Sequence, residues 1–232
     1  MLPYPDIDPV AVSLGPIQVH WYGLAYLAGL AFAWWLGVRR SRRPDVPLSR
    51  EQVDAATRAY DAAHPGVIIA VAWFARSRNI AFGAVLDLAA LLTPMGLALG
   101  RLGNFIGQEL WGRPTDVPWA MVFPADPLHL ARHPSQLYQF ALEGVLLFVV
   151  LLVFSARPRP MWATSGLFAL GYGCLRFIAE FFRQPDAHIG FQAFGWLTRG
   201  QLLCLPMIAL GLFLLWWAYH RQAPVGGGRK MA

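Results

Sequence analysis

Apolar runs with few or no charges recur along this chain, each close to 20 residues long and most of them closed by arginine. The first covers 17–38 and stops at Arg39, Arg40, Arg42 and Arg43. The second, 82–106, holds Asp87 near one end and Arg101 near the other. Three more cover 137–154, 161–182 and 200–219, with Arg157 and Arg159 after the third and His220 and Arg221 after the last. A helix needs about 20 apolar residues to cross a bilayer core, so each run predicts a membrane span. Residues 66–75 are weaker, ten apolar residues ahead of Arg76 and Arg78, which suits a re-entrant, interfacial or internally packed segment. The fold class expected is an all-α polytopic membrane protein of five full transmembrane helices plus one short or re-entrant segment. Residues 1–232 would form one integral membrane domain.

Composition agrees and narrows the functions open to the chain. Hydrophobic residues make up 56% and charged residues 14% of the sequence, where a soluble domain carries about 25% charged. The mean hydropathy is +0.43. A net charge of +6 could suggest nucleic acid, but the 19 basic residues include one lysine, Lys230, and are scattered between apolar runs. In such a chain basic residues report topology. Thirteen of the 19, at 39, 40, 42, 43, 50, 58, 76, 78, 157, 159, 221, 229 and 230, fall on one side if five helices cross and 66–75 does not. The N-terminus is then outside and the C-terminus cytoplasmic, with 1–16, about 108–135 and about 183–198 outside. No secretory signal peptide is read, because the first apolar run is too long and lacks a basic leader. Cys174 and Cys204 lie inside apolar runs and read as packing residues rather than a disulfide or metal pair.

The six remaining arginines are at 101, 113, 132, 176, 183 and 199. Arg176 and Glu180 share a helical face four residues apart. Arg101 and Glu143 also fall in or beside spans. Ionisable groups at membrane depth face the protein interior and mark either a functional path or a packing network, and position alone leaves both open. The densest element runs from Gly100 to Pro114, where glycines at 100, 103, 107 and 112 surround Arg101, Asn104 and Glu109. A guanidinium, an amide and a carboxylate at a span's outer end suit a phosphate ester.

At these residues the chain resembles the prolipoprotein diacylglyceryl transferase family. The blocks are His20-Trp21-Tyr22-Gly23-Leu24, Gly100-Arg101-Leu102-Gly103-Asn104-Phe105 with Glu109-Leu110-Trp111-Gly112-Arg113, and Arg132-His133-Pro134-Ser135-Gln136-Leu137-Tyr138. A last block joins Gly171-Tyr172-Gly173, Arg176 and 180–186. The resemblance implies a multi-pass enzyme of the bacterial inner membrane. It would move the diacylglyceryl group of phosphatidylglycerol to the lipobox cysteine thiol of a prolipoprotein, releasing glycerol phosphate, with no metal or organic cofactor. It implies that Arg101 and Arg176 hold the phosphodiester and that Asn104, Glu109 and Gly112 belong to the same substrate site. Tyr22 matches a functional tyrosine, although an aromatic at a span's end also serves as an interface anchor. Tyr172 and Glu180 would brace Arg176. The candidate base is His64, in His64-Pro65-Gly66 where the family has His-Gly-Gly. A neutral imidazole there could take the thiol proton. His20 and His133 are rivals, His20 as an interfacial donor to substrate and His133 as the start of a His-Pro-Ser helix cap.

The match departs from the family in two ways. The family pattern has seven spans, whereas 48–63 here is too charged to cross hydrocarbon and one span is missing. Gly107-Gln108 also replaces the family's Asn-Gly. The leading expectation is an active transferase with a shortened first half. The alternative is a degenerate, non-catalytic relative that binds phospholipid or lipoprotein precursor. A small transporter or channel would fit the buried charges but not the matching blocks.

Overall fold

The computed structural model describes residues 2–5, 7–15, 17–46, 48–55, 67–185 and 191–221. Among the described residues six principal helices follow in order: α1 (Trp21–Arg40), α2 (Val67–Ser77), α3 (Phe82–Ile106), α4 (Ser135–Phe154), α5 (Ala163–Ala179) and α6 (Arg199–Arg221). Four of them, α1, α3, α4 and α6, are long and apolar enough to cross a membrane, and α5 is a shorter apolar helix of 17 residues. The expected five full spans are therefore four long helices and one shorter one. At 1.5 Å per residue α5 is about 25 Å long and the 11-residue α2 about 16 Å, roughly half a hydrocarbon core.

The boundary of the first span differs from expectation. Residues 17–20, placed in the first span, form a strand instead. Ile17, Gln18, Val19 and His20 alternate apolar with polar, a period that suits a ribbon, and helix begins only at Trp21. The strand β3 (Ile17–His20) pairs antiparallel with β2 (Val10–Leu14), turning at Gly15, whose φ is +61°. The all-α expectation is corrected with it. The parts outside the bundle carry short strands: β1 (Leu2–Pro3) lies parallel to β4 (Met121–Val122), which pairs antiparallel with β5 (Ala131–Arg132). A last small hairpin joins β6 (Phe191–Ala193) to β7 (Leu197–Thr198).

Burial runs opposite to that of a soluble protein. Leu27, Val153 and Leu203 are 60%, 67% and 66% exposed, while Gln136, Gln139, Glu143 and Gln201 are buried. Apolar surface faces outward and polar groups face in, as hydrocarbon surroundings require. With no hydrophobic drive between helices in lipid, packing relies on close backbone approach. A Cβ on Gly144 of α4 would lie 2.4 Å from the Ala98 Cβ of α3, and one on Gly211 of α6 would lie 2.4 Å from the Leu170 nitrogen of α5.

The arginine-rich end is closed by specific bonds. Arg40 and Arg43 each donate to the Ser155 carbonyl, at 2.8 and 2.9 Å, and so finish the C-terminal carbonyls of α4. Asp87 accepts from the Trp162 and Ser165 nitrogens and the Ser165 hydroxyl, each at 2.7 Å, at the start of α5. Trp162 itself is left-handed at φ +75° and makes no side-chain cap, so the carboxylate of α3 supplies it. Val38, Val53, Phe74 and Val85 share one core cluster. The ends of α1 and α2 and the start of α3 therefore meet at the same end of the bundle.

Candidate functional site

At the opposite end, Glu143 organises the charges that the sequence distributes over three helices. Residues Phe140–Leu146 of α4 are wound as a π-helix, a local widening that redirects side chains and that recurs at functional sites. Glu143 lies in this stretch and is buried. Arg101 of α3 approaches one of its oxygens at 3.9 Å, and Arg176 of α5 approaches the other at 3.3 Å. Arg176 also reaches Glu180 at 3.1 Å, and Glu180 in turn holds Arg183 at 3.5 Å and accepts from the Thr198 hydroxyl at 3.2 Å. The carboxylates are 1–2% exposed, whereas the Arg101 and Arg176 side chains are 18% and 14% exposed. Anything entering the cluster therefore meets guanidinium before carboxylate. Three arginines and two glutamates leave one surplus positive charge, the complement of a phosphodiester monoanion.

Tyr172 stacks on Phe168 at 5.8 Å and lies within electrostatic reach of Glu143, Arg176 and Arg101. Tyr22 rests on the adjoining turn of α3, close enough that a Cβ on Gly103 would come within 2.7 Å of its ring. From Tyr22 and Gly100 an apolar groove of about 330 Å³ runs between α1 and α3 to Leu48 and Val53. It is open on one side and lined almost wholly by hydrocarbon.

Asn104 and Glu109 are bonded to each other, the amide donating to the carboxylate at 2.6 Å across the end of α3. Gly112 sits where three segments cross: its nitrogen donates to the His133 carbonyl at 2.9 Å, it bridges to Arg183, and its carbonyl accepts from Arg132 at 3.4 Å. Arg113 continues the crossing, its Nε donating to the Arg183 carbonyl at 2.9 Å. His20 is exposed at the end of β3. His64 lies outside the described residues.

The His-Pro-Ser cap is not formed. Pro134 occupies the cap position of α4 without a side-chain bond, and the Ser135 hydroxyl donates instead to the Leu110 carbonyl at 3.0 Å. His133 belongs to a different chain of bonds: the Trp119 N–H donates to the Tyr138 hydroxyl at 2.7 Å, whose oxygen is 3.1 Å from the His133 Nδ1. Burial pushes the His133 imidazole below its ordinary value, so it is neutral near pH 7.

The segment between α3 and α4 is held by Arg132, whose fork meets Asp126 at 2.6 and 3.2 Å. This bond holds the Asp126 carboxyl below the usual carboxylate range, aided by the Leu128 and Leu130 nitrogens. A depressed folded-state value stabilises the protein above the unfolded value, about 3.9, and the contribution fades as pH falls through the folded value. Asp126→Asn should therefore melt earlier than the parent at pH 7, with the gap closing only below about pH 4. Melting curves of both proteins across pH 3–7 check this, and a gap that stays constant would assign it to packing alone.

Sequence reasoning marked Glu143 as a charge in a span but gave it no role, and Thr198 and the Trp119–Tyr138–His133 chain went unread. Glu143 is the one carboxylate inside the 137–154 run, which is the signal that could have promoted it. Among the described residues no group of three or more His, Cys, Asp or Glu side chains is placed to hold a metal ion. Cys174 and Cys204 are free thiols.

Known proteins share this sequence over most of its length. The family model described as prolipoprotein diacylglyceryl transferase matches residues 9–63 and 59–217, in two pieces that overlap at 59–63. A phosphatidylglycerol–prolipoprotein diacylglyceryl transferase of Pseudomonas putida is 50% identical over 262 residues, covering 96% of this chain and 98% of its own. That of Pseudomonas fluorescens is 48% identical over 265 residues, covering 97% and 98%. An alignment of 262 positions exceeds the 232 residues of the chain, so at least 30 positions of the relative have no counterpart here. On a match that covers most of its length, the chain belongs to the prolipoprotein diacylglyceryl transferase family.

Proposed function

We propose that this protein transfers the diacylglyceryl group of phosphatidylglycerol to the thiol of a prolipoprotein's lipobox cysteine. The observation that carries the reading is the carboxylate of Glu143 shared by Arg101 and Arg176, with an apolar groove lined as far as Gly100, the residue before Arg101. In the reaction a thiolate sulfur attacks the glyceryl carbon bonded to the phosphate oxygen. The S–C bond forms, the C–O bond breaks, and glycerol phosphate departs with the electron pair. Its phosphate passes from one negative charge toward two, so guanidinium contacts strengthen as the bond breaks, and this difference accelerates the step. The groove beside Tyr22 and Gly100 accommodates acyl chain while the phosphate reaches the arginines. Asn104, Glu109 and Gly112 shape the outer wall, Glu180 and Tyr172 hold Arg176 in place, and His20 lies at the outer entrance as a donor to substrate. His64 takes the thiol proton. The substrates are membrane lipid and a lipobox peptide, with no nucleic acid.

The topology proposed is a single domain over residues 1–232 in the bacterial inner membrane, N-terminus outside and C-terminus cytoplasmic. Support comes from the common cluster of Val38, Val53, Phe74 and Val85, which keeps Arg39–Arg43 and Arg76 at one end. A half-length α2 suits a segment that enters and does not cross.

Incubating the purified protein with labelled phosphatidylglycerol and a lipobox peptide tests the activity. Thioether product is expected, and its loss in His64→Gln with lipid binding retained would assign the base. One observation favours a second reading, a binding relative without chemistry: the family match falls into two pieces that overlap at 59–63, beside His64. Phosphatidylglycerol binding that depends on Arg101, with no product, would establish that reading instead.

A further inference from the structure

A second cavity, about 280 Å³, lies at the arginine-rich end between the end of α1, the start of α3 and the α4–α5 connection. Asp87 and Arg101 are 14 residues apart on α3, so about 21 Å separates this cavity from the cluster around Glu143. Arg40, Arg157 and Arg159 line it together with Asp45, Asp87 and Thr164. Both carboxylates are already satisfied. Asp45 is held by the fork of Arg43 at 3.0 and 2.9 Å, and Asp87 by the three donors at the start of α5.

The arginines are not neutralised to the same degree. Arg40 donates only to carbonyls, those of Ser155 and Leu152. Arg159 gives its Nε to the Phe154 carbonyl at 2.8 Å and lies over the Phe154 ring, which leaves its two terminal nitrogens turned from that bond. Arg157 is exposed and has no hydrogen-bond or ion-pair partner among the described residues. A concave site with filled carboxylates and guanidiniums that keep donors in hand matches a tetrahedral oxyanion. Its place at the end of apolar helices also brings it to the level where lipid headgroups lie.

We infer that this cavity binds the phosphate of an anionic ligand, carried either by an acidic phospholipid headgroup or as free phosphate, at a site separate from the Arg101–Glu143–Arg176 cluster. Arg157 and Arg159 supply the contacts, and Arg40 adds charge from the cavity wall. The inference does not depend on the transfer reaction, because a protein without activity would keep the pocket.

Native mass spectrometry of the full-length protein in neutral detergent tests it. Dioleoyl phosphatidic acid serves as the probe against excess phosphatidylcholine. R157Q/R159Q should weaken retention of one phosphatidic acid on the order of tenfold or more, given about 1 kcal/mol per basic residue near a lipid surface. R157Q alone, at an exposed side chain, should weaken it in the same direction. R50Q, which removes an equal charge outside the cavity, and R101Q/R176Q should both leave this lipid bound. Competition by millimolar inorganic phosphate would identify free phosphate as sufficient, and its absence would assign the site to the headgroup with its chains. Unchanged binding in R157Q/R159Q overturns the inference. So does an equal loss in R50Q, or a loss confined to R101Q/R176Q.

Discussion

Arg176→Ala is expected to abolish diacylglyceryl transfer and to lower thermal stability together. Arg176 bonds Glu143 at 3.3 Å and Glu180 at 3.1 Å, and both carboxylates are buried. Removing it leaves Glu143 with Arg101 alone at 3.9 Å and Glu180 with Arg183 and Thr198, and breaking a buried pair costs about 3–5 kcal/mol. For a chain of this size that corresponds to a melting shift of roughly 6–20 °C. The catalytic loss has a separate cause, since the guanidinium that meets the departing phosphate is gone. The double variant Arg176→Ala/Glu143→Gln separates the two effects. Neutralising Glu143 should restore part of the melting temperature and none of the transfer. Glu143→Gln alone keeps both arginines but loosens their spacing, and a drop of roughly 100-fold is expected from misplacement of about 1 Å. Melting curves and single-turnover lipidation of the three proteins decide this. Transfer that returned with stability in the double variant would show Arg176 to be a packing residue.

The second large effect is expected at Gly112. A Cβ there would lie 2.4 Å from the His133 carbonyl oxygen and 2.6 Å from that of Phe182. Both are backbone atoms at a crossing fixed by the Gly112 and Arg113 hydrogen bonds, so neither can yield locally. Gly112→Ala should therefore part the segment between α3 and α4 from the ends of α4 and α5, costing more than the roughly 1–3 kcal/mol of ordinary overpacking. Gly100→Ala is the matched control in the same motif, because a Cβ there meets nothing within 4 Å. It should fold normally, and limited proteolysis at 107–135 should cut the first variant and spare the second. Equal resistance in the two would contradict the crossing.

The contrast between Gly100 and Gly112 shows how far a motif can be read. Sequence singles out both as part of one glycine-rich element, and nothing in their spacing says that one faces open space and the other a backbone crossing. The same holds for Glu143 and Asp87. Each reads as an acid near a span's end, yet one divides its oxygens between two arginines and the other receives the first nitrogens of α5. Partners 33 and 75 residues away in the chain decide those roles.

Ionic groups at membrane depth must find partners inside the protein, and this requirement made much legible from the chain alone. The apolar runs and their arginine borders determined a multi-pass helical protein, its basic end, and Arg101, Arg176 and Glu180 as residues set apart from topology. The spacing of the motif blocks determined the family. Tertiary structure decided where helix yields to strand at His20, and that Ser135 bonds a loop carbonyl and caps nothing. It also decided which carboxylate joins the two arginines. Hydrophobic periodicity is a local property of the chain, whereas the pairing of buried charges depends on which helices pack together, and a π-turn in α4 sets that for Glu143.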